Sequence, residues 1–186
     1  MADSTTESYA KSGFAQKMGW GARPALVLID VCTAYWSTGS PLDTSTNPES
    51  VKAPESMRKL VAAARSANSP VIWTKVYYDR PNMADAGLMY KKAKALTVWQ
   101  KGDTRGFDDY VEGLVPEEGD IIIVKKMPSA FFGTTLAADL HLLNVDTCRF
   151  SSFRNLEELV KDWGCLGIEV GDAVWYLLYD LPCTDN

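Results

Sequence analysis

Lys125-Lys126-Met127-Pro128-Ser129-Ala130-Phe131-Phe132-Gly133-Thr134 joins two segments of different character. Before it runs Asp120-Ile121-Ile122-Ile123-Val124, apolar without alternation. After it, Thr134 to Asn144 reads as a helix, with Leu136, Leu140 and Leu143 on one face and Thr134 or Thr135 available as its cap. An unbroken apolar run marks a strand covered on both faces, and such strands belong to parallel sheets. The block therefore places a lysine at the C-terminal end of a buried strand. Ala25-Leu26-Val27-Leu28-Ile29-Asp30 does the same for an aspartate. Ligands of open α/β sheets bind outside those ends.

Working outward, Pro24 opens the first strand, and turn formers fill Ser37 to Asn47. Met57, Leu60, Val61 and Ala64 recur at helical spacing, and Pro54 is expected in that helix's first turn. Ser69-Pro70 breaks the chain ahead of a second strand, Val71 to Val76. From Tyr77 to Glu118 the connection is long, and long ordered connections are usually functional. Lys91, Lys92 and Lys94 within it read as a surface cluster, and Pro116 to Asp120 as the turn into the third strand. Strand, helix, strand, loop, strand, helix predicts an α/β three-layer sandwich with a mostly parallel sheet.

At 186 residues the chain is a one-domain proposition, and 46% hydrophobic with 23% charged residues is ordinary for a globular protein. A net charge of −5 with interspersed signs argues against nucleic acid, and no apolar run is long enough to span a bilayer. Residues 1–21 read as a flexible lead-in without the apolar core of a secretory signal. Four cysteines without paired spacing (Cys32, Cys148, Cys165, Cys183) suit reduced thiols and a cytoplasmic location. One histidine, His141, argues against a His-based metal site or a Ser-His-Asp triad. After Asn144 another buried strand is expected. Cys148 to Asn155 instead reads as polar and strand-poor, Leu156 to Trp163 as a short helix, and Ala173 to Tyr179 as a dense apolar run.

From about Pro24 to Thr147 the chain resembles the isochorismatase-like cysteine hydrolases, most closely the branch containing N-carbamoylsarcosine amidohydrolase. Ala25 to Cys32, Gly39-Ser40-Pro41-Leu42, Pro70 to Val76 and, above all, Lys125 to Thr135 carry the likeness. The resemblance implies a six-stranded parallel sheet with helices on both faces and an Asp–Lys–Cys triad. By position Asp30 matches the aspartate and Lys125 the lysine, with Lys126 the alternative if the register slips by one. It implies thiolate attack on an amide or carbamoyl carbon of a small molecule, the carboxylate taking the thiol proton and the ammonium favouring the thiolate. Isochorismatases proper cleave a vinyl ether without this cysteine, so membership alone does not fix the reaction. No cofactor is implied. The family's nicotinamidase branch holds a metal with histidines that this chain does not offer.

Ser129 and Phe131 are expected near the pocket, although a phenylalanine beside a helix start also reads as core. The family's cysteine is expected near Glu158, where the chain has Asn155-Leu156-Glu157-Glu158-Leu159. Cys148 falls too early. Cys165, within Trp163-Gly164-Cys165-Leu166-Gly167, is the nucleophile candidate, ahead of Cys32. The likeness stops abruptly after Thr147, as across a shifted reading frame, a retained intron or an alternative exon. The expected organisation is therefore a lead-in (1–21), a hydrolase-like part (22–147) and an atypical tail (148–186). C-terminal strands are expected to be lost or replaced, leaving a bare sheet edge and one face of the first strand uncovered. Three readings compete: an amide-cleaving hydrolase, an inactive relative that binds a ligand or pairs with itself or a paralogue, and a chain that does not fold stably alone.

Overall fold

The computed structural model describes residues 11–12 and 21–153. Four strands form one all-parallel sheet: β1 (Pro24–Ile29), β2 (Val71–Val76), β3 (Ile121–Lys125) and β4 (Thr147–Ser151), in the order β3-β2-β1-β4. Helix α1 (Pro48–Ser66) joins β1 to β2, short α2 (Gly87–Lys92) lies in the β2–β3 connection, and α3 (Leu136–Leu142) joins β3 to β4. The α/β architecture anticipated from the strand–helix pattern is the one observed.

Alternation along β1 divides its side chains between two cores. Leu26 and Leu28 pack with Met57 and Val61 of α1 and with Trp73. Ala25 and Val27 pack with Leu136 and Leu140 of α3, Ile72 and Ile123. A third cluster sits beyond the strand ends, where Cys32, Tyr35 and Val76 meet Tyr78, Met83, Val98 and Trp99 from the long connection. That connection is pinned to itself, the Tyr78 amide donating to the Trp99 carbonyl (3.0 Å) and the Lys101 amide to the Tyr78 carbonyl (2.7 Å).

The largest departure from expectation is β4. Cys148 to Ser151 is a strand, paired with β1 from Pro24↔Thr147 to Leu28↔Ser151. Cys148 and Phe150 turn to the α3 core, so a short strand at the end of the sheet needs only alternate apolar residues. The polar residues before it secure its start. Asp146 accepts from the Ala22 and Arg23 amides, both at 2.9 Å, and Thr147 Oγ1 accepts from the Gly21 amide at 2.9 Å. A side chain at Gly21 would meet the Asp146 carboxylate at 2.2 Å, so the close approach requires glycine. β1 is thus paired on both edges and covered on both faces, contrary to the expected uncovered face.

Two smaller expectations also change. Pro54 lies inside α1, not in its first turn; Pro48 takes that position, behind an Asn47 cap whose side chain accepts from the Glu49 amide at 3.0 Å. The missing Pro54 N–H leaves the Ser50 carbonyl without its helical donor, and Trp36 Nε1 supplies one at 2.8 Å. Leu143 is exposed because α3 ends at Leu142 and the chain reverses at Asn144, φ 53°. The lead-in apart from residues 11–12 and Gly21, the expected Leu156–Trp163 helix, the Ala173–Tyr179 run, Cys165 and the position near Glu158 lie outside the described residues.

Candidate active site

Asp30 follows β1 directly, in the left-handed region at φ 52°. Aspartate tolerates that conformation better than most residues, and non-glycine residues held there gather at functional sites. Thr74 fixes it from the neighbouring strand. The Thr74 hydroxyl accepts from the Asp30 amide (3.1 Å) and donates to Asp30 Oδ1 (2.6 Å). The parallel register sets this contact, since Ile29 pairs with Thr74.

Lys125 ends β3, paired with Val76, and its side chain is 4% exposed. Its ammonium donates to Asp30 Oδ2 at 2.9 Å and to the Pro128 carbonyl at 2.8 Å. The Asp30–Lys125 pair therefore reaches across β2, with Thr74 between. A buried ion pair is tolerable only when its remaining donors and acceptors are also satisfied. Here both carboxylate oxygens have a partner, and the ammonium has two. Of the adjacent lysines, Lys125 is the one that meets Asp30.

Lys126 points elsewhere. Its ammonium bridges Asp79 and Asp85, the latter at 2.6 Å. Asp85 also accepts from the Asp79 amide at 3.0 Å. Burial pushes the Asp85 carboxyl up, but the hydrogen bonds from Lys126 and Asp79 outweigh it and hold the group well below the usual carboxylate range. The clasp closes a turn in which Asn82 and Met83 both adopt φ 57°. Met83 is buried among the residues beyond the strand ends.

A shallow, open recess lies against Asp30, lined also by Cys32, Thr74, Lys75, Trp99, Asp108 and Tyr110. Lys75 meets Asp108 at 3.4 Å and stands 5.3 Å from the centre of the Tyr110 ring. Ser129 and Phe131 do not line this recess. Ser129 Oγ accepts from the Phe131 amide at 3.2 Å, and Phe131 packs on the α3 core, its plainer reading. Burial pushes the Cys32 thiol up to about 11, against a hydrogen bond from the Trp99 side chain. Burial alone takes Cys148 to about 11. Both thiols are thus held protonated at neutral pH, the opposite of an activated nucleophile. Among the described residues no three His, Cys, Asp or Glu side chains converge as a metal site would require, and no helix is long and apolar enough to cross a membrane.

Thr74, Lys75, Asp108 and Tyr110 were not singled out from sequence. Thr74 lies two residues before the end of β2, and it is the parallel register, Ile29 beside Thr74, that brings it to Asp30. Asp108 and Tyr110 depend on how the long connection folds back.

An aspartate and a buried lysine meet at the C-terminal ends of a parallel sheet within residues 24–151, which fit the isochorismatase domain, and the chain belongs to that family. The match ends with β4, four residues beyond Thr147. Among curated relatives, the chain is 34% identical over 146 residues to the maleamate amidohydrolase of Pseudomonas putida, covering 78% of this chain and 66% of that protein. It is 31% identical over 146 residues to the N-carbamoylsarcosine amidase of an Arthrobacter species, covering 76% and 53%. The chain thus spans between about half and two thirds of these relatives' lengths. A solved cysteine hydrolase from Pseudomonas syringae pv. phaseolicola superposes with TM-score 0.61 at 23% identity, over 75% of this chain and 65% of that one, a likeness of fold.

Proposed function

We propose that this chain is an amide-cleaving hydrolase acting on a small amide or carbamoyl compound, with Asp30 and Lys125 as two members of its site. The observation that carries the reading is the 2.9 Å contact between two buried, oppositely charged groups at strand ends. Asp30 takes the proton of a thiol, and Lys125 holds the carboxylate in place. The sulfur attacks the carbonyl carbon, the amine leaves with a proton as ammonia, and water then releases the acid from the thioester. The thiol belongs outside the described residues, since Cys32 and Cys148 are buried and protonated; Cys165 is the candidate. The amide-named relatives support C–N cleavage, and reduced, buried Cys32 and Cys148 suit a cytoplasmic location.

The same two protonated thiols favour a second reading, a family relative that binds a ligand, or a copy of itself, without turnover. One assay separates the two. Purified protein, Asp30→Asn and Cys165→Ala are compared for ammonia release from maleamate and N-carbamoylsarcosine. Release that both substitutions abolish supports the hydrolase. Unchanged release in Asp30→Asn sinks the assigned site, and no release from the unaltered protein favours the second reading.

A further inference from the structure

We infer that Lys75 is an anion anchor within the recess, so that the ligand taken there is a small molecule bearing a carboxylate, which displaces Asp108 from Lys75. The inference deepens the hydrolase reading and rests on it for the identity of the bond cleaved, though the anchor can be tested apart from any turnover.

Three charged residues line the recess: Asp30, Lys75 and Asp108. Asp30 is itself an anion, tied to Lys125 and Thr74, and so does not receive a ligand's negative charge. Lys75 is the cation facing the space. Its contact with Asp108 is loose: 3.4 Å, against 2.9 Å for Lys125–Asp30, 2.6 Å for Lys126–Asp85 and 2.7 Å for Arg65–Asp120. Charge-assisted hydrogen bonds lie at roughly 2.7–2.9 Å. The two side chains are 29% and 35% exposed, so an incoming anion meets an ion pair that water already reaches. A partly solvated pair at that distance is worth little to the fold and is easily exchanged.

The surroundings hold the two charges differently. Lys75 stands on β2 beside Thr74, which fixes Asp30, and its ammonium lies within cation–π range of the Tyr110 ring. Asp108 comes from the long connection. Its neighbours are pinned, Phe107 and Asp109 accepting through their carbonyls from the Ala34 and Thr33 amides, both at 2.9 Å. The Asp108 backbone is thus fixed while its carboxylate is free to turn away. Asp108 occupies the place a ligand carboxylate would take.

The test uses two unreactive four-carbon probes on the purified full chain, maleate and the uncharged cis-2-butene-1,4-diol, titrated calorimetrically at low salt. Maleate is expected to bind at least tenfold more tightly than the diol. Lys75→Met should erase that preference, and Lys75→Arg should retain most of it. Asp108→Asn, which removes the competitor, should tighten maleate severalfold and leave the diol unchanged. Opposite signs for Lys75→Met and Asp108→Asn are the signature, because a purely structural ion pair would weaken binding from either side. Equal affinity for the probes, no binding of either, a preference kept in Lys75→Met, or weaker maleate binding in Asp108→Asn would each overturn the inference. Neither probe has an amide. A failed ammonia assay with a Lys75-dependent preference therefore removes the hydrolase reading and leaves the anchor standing, and the reverse pair of results does the opposite.

Discussion

Lys125 and Lys126 are consecutive residues with the same side chain, yet the structure uses them in opposite ways. Lys125 turns inward at 4% exposure to a single carboxylate that has little water around it. Lys126 turns to the rim, 37% exposed, and ties together two carboxylates of one turn. Strand alternation sends neighbours to opposite sides, so one strand end supplies both the interior charge and the fastening of the loop beside it. The inner pair is defined by burial, because removing one member strands the other without solvent. The outer clasp joins Asp79 and Asp85 across one turn, and its loss would both free that segment and leave the Asp85 carboxylate, 6% exposed, without its cation.

The sharpest way to break this comparison is Lys125→Met. It leaves Asp30 buried and unpaired, and is expected to cost about 3–5 kcal/mol in denaturant unfolding. A loss no larger than that of a surface substitution would show that the inner pair is not buried in solution. Thr74→Val keeps the shape but removes the hydroxyl shared by the Asp30 amide and carboxylate. About 1–3 kcal/mol should be lost, with Asp30→Asn and Thr74→Val together costing less than their sum. Strict additivity would mean the two groups do not meet. Lys126→Met should quicken amide exchange across residues 79–86 and cost less globally than Lys125→Met, because the Asp85 carboxylate, though 6% exposed, keeps the Asp79 amide as a donor. A large global loss would make the clasp part of the core.

The smallest effect is the acid response. Asp85 is held below the usual carboxylate range, and so is Asp120, where burial is outweighed by hydrogen bonds from the Glu117 amide, Trp73 and Arg65. For groups lowered on folding, the unfolded chain binds protons first. Their contribution is complete above the ordinary value near ~4 and disappears as pH falls below it. Stability contributed by these two groups should be flat from pH 7 to 5 and decline beneath ~4, and Lys126→Met should shrink the decline. A decline that sets in above pH 5 and follows Lys126 would reverse the sign assigned here.

What could be read from sequence divides along the same line. β1 and β2 read as strands because both of their faces are covered, whereas β3 shows the same apolar pattern although Ile122 and Val124 lie exposed on one face; the lengths of all three came within a residue of the structure. Asp30 and Lys125 were legible for the same reason, as charges set at the ends of such runs. β4 was not, since a strand at the end of the sheet keeps only Cys148 and Phe150 for the core and reads as polar. Pro54 misled because its cost is offset by Trp36, 18 residues earlier in the chain. The partners of Lys126 and the approach of Asp108 to Lys75 arise from the path of a long connection, which periodicity does not encode. The family's thiol was expected near Glu158, outside the described residues, and the proposed chemistry rests on the Asp–Lys half.

β4 runs in the same direction as β1 and stops level with Leu28, and two residues on, the Phe153 ring lies flat against Tyr35 at 4.0 Å. The polypeptide is thereby handed back to the rim from which Asp30 departs. A group attached a few positions past Phe153 would need to close only a small loop to meet the carboxylate. Closure entropy rises only with the logarithm of that length. The stacked rings fix the end of the described chain beside the rim from which Asp30 departs.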